Sequence, residues 1–300
     1  MTVASFLSVK GAPGVTTLCC LVGATWPADR QVMVVECDPS GGDIAARFGL
    51  SSRCGWPTLA TSARRDVGST TILPHLQQLP GGLEVLVGTR FPDLPLAQSA
   101  EASLLSRIWS APDDPWDALV DLGRLRQGDE ESLAWLDRSD SVVVVTGADA
   151  ASVVQVRERA PALCSRCEDR LGLVVVGSGP HPGVEIEAFT GIHLLGELPF
   201  DPVAAAIACG AEGGGRRLMR SLLVASASRL ARHLAPDTGA QTDSPRHRGA
   251  GRPKRSGAPT DEDRLPEVSA GESPEASDWS LDPDDSPEPR PPARLQDVPT

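Results

Sequence analysis

The chain has 300 residues, a formal net charge of −12 and a hydrophobic content of 40%, enough apolar sequence for one large domain or two small ones. The negative charge argues against a protein that binds nucleic acid over its whole surface. The sequence has no uncharged apolar run of about 18 residues and no charged segment before its first apolar run, so it predicts a cytoplasmic protein that is neither secreted nor membrane-spanning.

The sequence that can form a core ends near residue 235. Of 27 prolines, 12 follow Ala235, and residues 236–300 show neither helical nor strand periodicity. Such a segment cannot bury enough apolar surface to offset the entropy lost on ordering it. We therefore predict a folded domain over 1–235 and a disordered, proline-rich tail over 236–300. Basic residues precede Thr260 in this tail and 12 acidic but only 3 basic residues follow it, a charge pattern that most often keeps a protein in solution.

Strand-like and helix-like segments alternate along the domain. Several of the strand-like runs are continuous in valine and leucine, as in parallel strands covered on both faces. The predicted strands are 3–9, 31–38, 82–88, 116–123, 141–146, 172–177 and 193–199. The predicted helices are 16–26, 58–79, 96–111, 129–138, 149–168, 183–190, 201–209 and 216–234. This alternation predicts a doubly wound α/β fold with a mostly parallel sheet, helices on both faces, and ligands beyond the carboxyl ends of the strands.

A glycine-rich loop, VKGAPGVTT, follows the first strand at residues 9–17. Strand, glycine loop and helix form the context of a phosphate-binding loop, in which backbone N–H groups and the helix N-terminus bind phosphate. Thr16 stands where a hydroxyl would bind Mg²⁺. The pattern GxxxxGK[ST] nevertheless fails at Val9 and at Val15, the position of the phosphate-binding lysine. A glycine turn without a ligand therefore remains an alternative interpretation of this loop by itself.

Acidic residues follow two other predicted strands. The turn ECDPSGGD carries Glu36, Asp38 and Asp43, and Asp121 lies near the end of the strand in WDALVDLG. A single aspartate at such a place is most often a cap or part of a solvated turn. Because the carboxyl ends of parallel strands meet at one edge of the sheet, we expect these carboxylates to converge on the glycine loop. Their convergence favours a phosphate and metal site.

Together these motifs resemble the ParA/MinD group of deviant P-loop ATPases, which includes pilus-assembly relatives of the CpaE/TadZ type. The group's loop xKGGxGK[ST][ST] resembles VKGAPGVTT, and its DxDPQGN-like switch I resembles ECDPSGGD. Its DxPxG switch II resembles DLGR, and its nucleotide-edge segment resembles LLGELPFDP at 194–202. The order and spacing of these motifs over residues 1–235 make the resemblance more specific than any single motif, and the sequence is most similar to MinD-like proteins of high-GC actinobacteria.

The resemblance implies a P-loop NTPase fold and a homodimer that binds ATP and Mg²⁺. It implies a role in positioning a cellular assembly, such as a partitioning complex, a division septum or a pilus or secretion machine. Lys10 matches the signature lysine that reaches the partner subunit's nucleotide, and Asp38 and Asp43 match the catalytic acids of switch I. The implied metal site is Thr16, Asp38 and Asp121. The implied nucleotide-binding residues are Gly11, Ala12, Pro13, Gly14, Val15, Thr16, Thr17, Pro199 and Asp201.

The chain departs from the group's pattern at several positions. Val15 replaces the P-loop lysine, Ala12 replaces a glycine, and the segment 177–179 replaces an asparagine that reads adenine in relatives. Loss of one partner of a buried charge pair costs about 2–5 kcal/mol. However, the chain has 2 lysines and 26 arginines, and Lys10 is the only lysine before the tail. This bias indicates that position 10 requires the compact ammonium group of lysine, which an arginine could not replace.

The sequence is therefore compatible with two functions. The first is a nucleotide-dependent dimer switch in which Lys10 supplies phosphate charge to the partner subunit's nucleotide, with slow or absent hydrolysis. The alternative is a pseudo-ATPase scaffold that binds partner proteins and no nucleotide.

The sequence also suggests two surface contacts, one with a membrane and one with DNA. The predicted helix 216–234 is basic and amphipathic, as are helices that lie peripherally on the inner face of a membrane, but such a helix more often packs its apolar side on the sheet. The basic stretch 246–255 could contact DNA, but the acidic run beside it would compete with DNA phosphate, so DNA binding is not favoured.

Overall fold

The computed structural model describes residues 2–11, 13–62, 72–88, 116–126, 128–211 and 215–235. Its strands are β1 (Val3–Ser8), β2 (Gln31–Glu36), β3 (Gln77–Gln78), β4 (Glu84–Leu86), β5 (Trp116–Arg124), β6 (Ser141–Gly147), β7 (Leu171–Val176) and β8 (His193–Leu198). They form one sheet in the order β3-β4-β2-β5-β1-β6-β7-β8. All of these pairings are parallel except that of β3 with β4. The predicted mostly parallel sheet is therefore confirmed.

Helices connect these strands. They are α1 (Val15–Ala24), α2 (Ile44–Phe48), α3 (Trp56–Ser62), α4 (Glu130–Arg138), α5 (Ala150–Cys167), α6 (Gly183–Thr190), α7 (Pro202–Ala208), α8 (Gly215–Leu218) and α9 (Leu222–Leu234). Short 3-10 turns occur at Leu73–His75 and Glu168–Arg170.

The helices cover both faces of the sheet because successive side chains of a strand point to opposite faces. In β1, Ala4 and Phe6 enter one apolar layer, whereas Val3 and Leu7 enter the other. The first layer is completed by α1, α2, α7 and α9, and the second by α3, α4, α5 and α6. This arrangement confirms the predicted doubly wound fold.

The strand order brings three loops to one edge of the sheet. β1 lies between β5 and β6, so the chain changes from one side of β1 to the other between these two strands. Asp121 of β5 is in register with Phe6 of β1 and with Glu36 at the end of β2. Ligands of doubly wound sheets bind at such a reversal of strand order.

The predicted helix 58–79 is wrong in its second half. α3 ends at Ser62, and the described part that follows is the 3-10 turn around Pro74 and then β3, which pairs with β4 at the sheet edge. A proline in the interior of an α-helix clashes with the preceding turn and lacks an N–H donor, which explains the interruption. Residues 63–71, the predicted helix 96–111 and the predicted tail 236–300 lie outside the described residues.

The predicted helix 216–234 is also wrong as a single element, because it is divided into α8 and α9. The side chain of Ser221 accepts a hydrogen bond from the N–H of Leu223 and caps α9, which favours a helix start at this point over a continuous helix.

The apolar side of α9 packs on the sheet layer that also holds α1, with Leu223, Leu230 and Leu234 buried. Leu222, at the start of the same helix, is 73% exposed. The packing interpretation of this segment is therefore favoured by the structure. None of the helices in the described ranges has the length and apolar character needed to cross a bilayer.

Candidate functional site

The glycine loop joins β1 to α1 through two residues in the left-handed region, Gly11 with φ 68° and Gly14 with φ 94°. Non-glycine residues adopt this conformation at a cost, so the loop's shape depends on glycine. In α1 the N–H of Leu18 bonds to the carbonyl of Gly14 at 2.8 Å. The N–H groups of residues 15–17 precede this bond, and Gly14 has no side chain to cap them. These donors, at the start of a 10-residue helix, can bind an anion.

The side chain of Val15 does not face this loop's open side. It is 5% exposed and packs in the apolar layer with Leu18 and Cys19. Val15 can therefore contact phosphate only through its backbone N–H. Ala12, also predicted to bind nucleotide, lies outside the described residues.

Asp121 is fully buried behind the loop. Its Oδ1 accepts a hydrogen bond from the N–H of Gly123 at 3.0 Å, whereas its buried Oδ2 has no hydrogen-bond partner in the described part of the chain. Burial raises the pKa of Asp121 to about 7, and the neighbouring Thr16 hydroxyl opposes this shift. A buried carboxylate oxygen without a partner is costly unless a ligand or ion satisfies it.

Glu36 holds the turn at residues 37–43, the segment that resembles switch I, from inside the protein. Its Oε1 accepts hydrogen bonds from the N–H groups of Asp43 and Ile44, at 2.7 and 2.9 Å, and its Oε2 accepts one from Gly88 at 2.8 Å. Burial nevertheless raises the pKa of Glu36. The sequence placed Glu36 among the converging acids, but this structural role depends on Gly88, which is distant in sequence.

Asp38 lies between the switch I turn and the loop after β5. Its Oδ1 accepts a hydrogen bond from the N–H of Ser40 at 2.7 Å, and its Oδ2 lies in the space that a side chain on Gly123 would require. Burial raises the pKa of Asp38, while the positive charge of Arg126 lowers it. Arg126 also donates a hydrogen bond from Nη2 to Oγ of Ser40 at 2.9 Å. Arg126 belongs to none of the sequence motifs and was therefore not predicted as a site residue.

Asp43, the second predicted catalytic acid, has a local partner. Its carboxylate pairs with Arg47 one helical turn later at 2.5 Å. The same guanidinium contacts Sγ of Cys209 at 3.0 Å, and Sγ lies 3.1 Å from the Thr17 hydroxyl. These contacts connect α2, the end of α7 and the start of α1. No sequence signal linked Arg47 or Cys209 to the glycine loop.

A cavity of about 480 Å³ opens beside the glycine loop. Pro13, Gly14 and Thr17 line one side, and Pro199 and Asp201 line the other. A mostly apolar cavity beside a phosphate loop suits the base and sugar of a nucleotide.

Asp201 shapes the wall of this cavity. Its Oδ1 accepts a hydrogen bond from the N–H of Ala204 at 2.9 Å and so caps α7. Its Oδ2 accepts one from the Ser221 hydroxyl at 2.9 Å. These bonds lower the pKa of Asp201. Both carboxylate oxygens therefore already have protein partners.

Lys10 is half-buried at the start of the loop. Its positive charge reaches Asp149, just beyond β6, where it adds to a lowering of the Asp149 pKa caused mainly by the Ser152 side chain.

The site fits Mg²⁺ held jointly with phosphate. No group of three or more His, Cys, Asp and Glu side chains in the described ranges could hold a metal on its own, but Mg²⁺ in phosphate sites needs only one or two protein ligands besides phosphate and water. The Thr16 hydroxyl would bind the ion directly, and Asp38 and Asp121 would bind it through water. The unpartnered Oδ2 of Asp121 favours this assignment. Bound there, Mg²⁺ would neutralise phosphate charge.

Solved structures of ParA/MinD ATPases have the same architecture. The ParA family ATPase from Chlorobium tepidum is 17% identical, with a TM-score of 0.64 over 77% of this chain and 99% of its own. The septum site-determining protein MinD from Pyrococcus horikoshii, complexed with Mg-ADP, is 17% identical, with a TM-score of 0.58 over 80% of this chain and 97% of its own. A chain of the MinC:MinD cell division complex from Aquifex aeolicus is 14% identical, with a TM-score of 0.61 over 82% of this chain and 99% of its own.

In sequence, no protein-family model and no curated protein matches the chain significantly. The structural neighbours are ParA/MinD ATPases at low identity, and the order of motifs along this chain resembles theirs. The chain therefore has the fold of the ParA/MinD P-loop ATPases, as its sequence motifs predict.

Proposed function

We propose that the chain is a dimeric switch that binds ATP and Mg²⁺ and positions a cellular assembly, with slow or absent hydrolysis. The observation that carries this proposal is the buried, unpartnered Oδ2 of Asp121, which lies behind a glycine loop and beside the Thr16 hydroxyl. A relic site would gain nothing from keeping this costly carboxylate.

The electrostatics of the site support a ligand that brings a cation. Glu36, Asp38 and Asp121 are buried or partly buried, and the first two raise the pKa of the third. Val15 supplies no positive charge beside them. A bound Mg²⁺–phosphate group would provide the cation that offsets this concentration of carboxylates, and the N–H groups at 15–17 would bind its phosphate oxygens.

Lys10 is proposed to act across a dimer. In a single chain it contributes, through its charge, to a lowering of the Asp149 pKa that is caused mainly by the Ser152 side chain. It is half-buried and available to a second copy. In that arrangement the lysine of each subunit reaches the partner subunit's nucleotide, and dimerisation depends on ATP.

A positioning role is proposed from the proteins that share the fold. One is the septum site-determining protein MinD complexed with Mg-ADP, and another is a chain of a MinC:MinD complex. By analogy, this chain would recruit a protein component of a partitioning, septum or pilus and secretion system. Fold alone does not select among these assemblies.

The scaffold alternative is favoured by one observation. The side chain of Val15 belongs to the apolar core, so this domain has replaced a phosphate contact with packing. A protein retained only for its surface would tolerate this replacement. A dimer fraction that is the same with and without nucleotide would support the scaffold function.

Calorimetry with ADP and with AMPPNP, a non-hydrolysable ATP analogue, tests the proposal, with and without Mg²⁺. We expect Mg²⁺-dependent binding by the unaltered chain, and at least about tenfold weaker AMPPNP binding by Lys10→Ala. Lys254→Ala, which removes the only other lysine, is the matched control and should bind as the unaltered chain does.

Sedimentation of the same samples measures the dimer. AMPPNP should convert monomer to dimer in the unaltered chain and not in Lys10→Ala. Absence of any nucleotide binding, or an equal fraction of dimer with and without AMPPNP, would reject the switch.

A further inference from the structure

The cation missing at Val15 has a replacement candidate in the same chain. Lys10 is proposed to act on the partner subunit's nucleotide, and Arg47 is bound to Asp43 and Cys209. Arg126 differs from both, since it extends from the loop after β5 toward the switch I turn.

The contacts of Arg126 place its charge at the acidic side of the site. Nη2 lies 2.9 Å from Oγ of Ser40, the residue whose N–H donates to Oδ1 of Asp38 at 2.7 Å. The side chain of Arg126 is exposed. A guanidinium has several N–H donors in a planar fork that matches phosphate, and one donor is engaged with Ser40 in the described residues.

The two loops joined by this contact are tightly apposed. The backbone at Gly123 leaves space for Asp38 Oδ2 only because it has no side chain. Within the turn, the N–H of Gly41 bonds to the carbonyl of Asp38 at 2.9 Å. Arg126 is therefore held over a defined turn that carries Asp38, one of the residues that would hold Mg²⁺ through water.

We propose that Arg126 binds the terminal phosphate of a nucleoside triphosphate in its own chain, exchanging the Ser40 hydroxyl for phosphate oxygens. This inference rests on the proposed function. It assigns to Arg126 part of the charge that Val15 lacks, and it makes Arg126 selective, because a diphosphate lacks the third phosphate that would draw Arg126 away from Ser40. The turn that carries Asp38 and Ser40 is then released from Arg126 only when a triphosphate is bound.

The test compares Arg126→Gln with Arg124→Gln by calorimetry, using AMPPNP and ADP with Mg²⁺. A charge-assisted hydrogen bond is lost in the first variant, so its AMPPNP affinity should fall about 10- to 100-fold while its ADP affinity stays within about twofold. Arg124 is also exposed and lies two residues earlier, and its variant should change neither affinity. Arg126→Lys should recover part of the AMPPNP affinity.

Ser40→Ala separates phosphate binding from a merely structural latch. This variant removes the hydroxyl that competes for Arg126 but keeps the backbone N–H bonded to Asp38. If Arg126 binds phosphate, AMPPNP affinity in Ser40→Ala stays equal or rises by up to about tenfold. If Arg126 only fastens the turn, Ser40→Ala weakens AMPPNP binding as Arg126→Gln does, and the inference is overturned.

The remaining outcomes are also decisive. Equal losses of AMPPNP and ADP in Arg126→Gln, or no loss, would overturn the assignment while the proposed nucleotide switch stands. Failure of the unaltered chain to bind either nucleotide would reject the proposed function and the assignment together. Melting temperatures without nucleotide should differ little among these surface variants, which verifies that each one is folded.

Discussion

Asp117 and Asp121 lie on the same face of β5 and are both fully buried, but they differ in their hydrogen-bond partners. The carboxylate of Asp117 accepts hydrogen bonds from Arg30, from the indole of Trp26 and from the N–H of Thr2. Oδ2 of Asp121 has no such partner in the described residues. One carboxylate therefore stabilises the fold, whereas the other is held at a cost next to the glycine loop.

Asp121→Asn should stabilise the nucleotide-free protein at alkaline pH. The pKa of Asp121 is about 7 in the folded chain and about 3.9 in an unfolded one. Between about pH 4 and pH 7 the folded state binds more protons, so the free energy of unfolding falls with rising pH, by at most about 1.4 kcal/mol per unit from this group. The asparagine variant should show a smaller slope and a higher unfolding free energy at about pH 8.

Urea unfolding of both proteins across this pH range measures the effect. The same substitution should abolish the Mg²⁺ dependence of AMPPNP binding. A variant that is less stable than the unaltered chain at about pH 8 would show that Asp121 has a stabilising partner.

Asp117→Asn should have the opposite effect. It leaves the largely buried Arg30 without its carboxylate, and breaking a buried ion pair by removing one partner costs about 3–5 kcal/mol. We expect a loss of this size in the free energy of unfolding at neutral pH. A neutral result would mean that water replaces the carboxylate at Arg30. Circular dichroism during thermal unfolding provides an independent measurement.

Gly123→Ala should destabilise the contact between Asp38 and the loop after β5. Gly123 has a φ of 55°, and a methyl group there would overlap Oδ2 of Asp38. Gly128→Ala is the matched control, because Gly128 also has a positive φ, 77°, but a methyl group there meets no atom within 4 Å. Both variants pay about 1–2 kcal/mol for backbone strain.

Only Gly123→Ala must also displace a carboxylate. Its loss in unfolding free energy, measured in urea, should exceed that of Gly128→Ala by about 1 kcal/mol or more. Equal losses would show that Asp38 moves aside without cost.

Leu230→Ala tests the packing of α9 on the sheet. Leu230 is 4% exposed and Leu222 is 73% exposed in the same helix. Truncation of the buried leucine should cost about 2–5 kcal/mol of unfolding free energy, whereas Leu222→Ala should cost less than about 0.5 kcal/mol. Thermal melts measure this difference, and the melting temperature of Leu230→Ala should be clearly lower than that of Leu222→Ala. Similar melting temperatures of the two variants would contradict the packing of α9 on the sheet and would support a membrane contact through its leucines.

The fold could be predicted from the sequence. Continuous valine runs separated by helical segments determine a doubly wound sheet, because both patterns depend on neighbouring residues. The glycines at 11 and 14 likewise predict a tight turn between β1 and α1, and both have a positive φ in the structure, whereas the absence of a lysine at position 15 is read directly from the sequence. The prediction of one helix over 216–234 was wrong because helical periodicity alone does not reveal that Ser221 caps a new helix.

The partners of the charged residues were decided only by the tertiary structure. Asp117 and Asp121 look equivalent in sequence, and their difference comes from Trp26 and Arg30, which the crossover after β1 brings to one of them. Arg126 faces Ser40 because β2 and β5 are adjacent in the sheet although they are far apart in the chain. Local patterns determine elements and their order, whereas the pairing of buried charges depends on contacts that form only when distant strands meet.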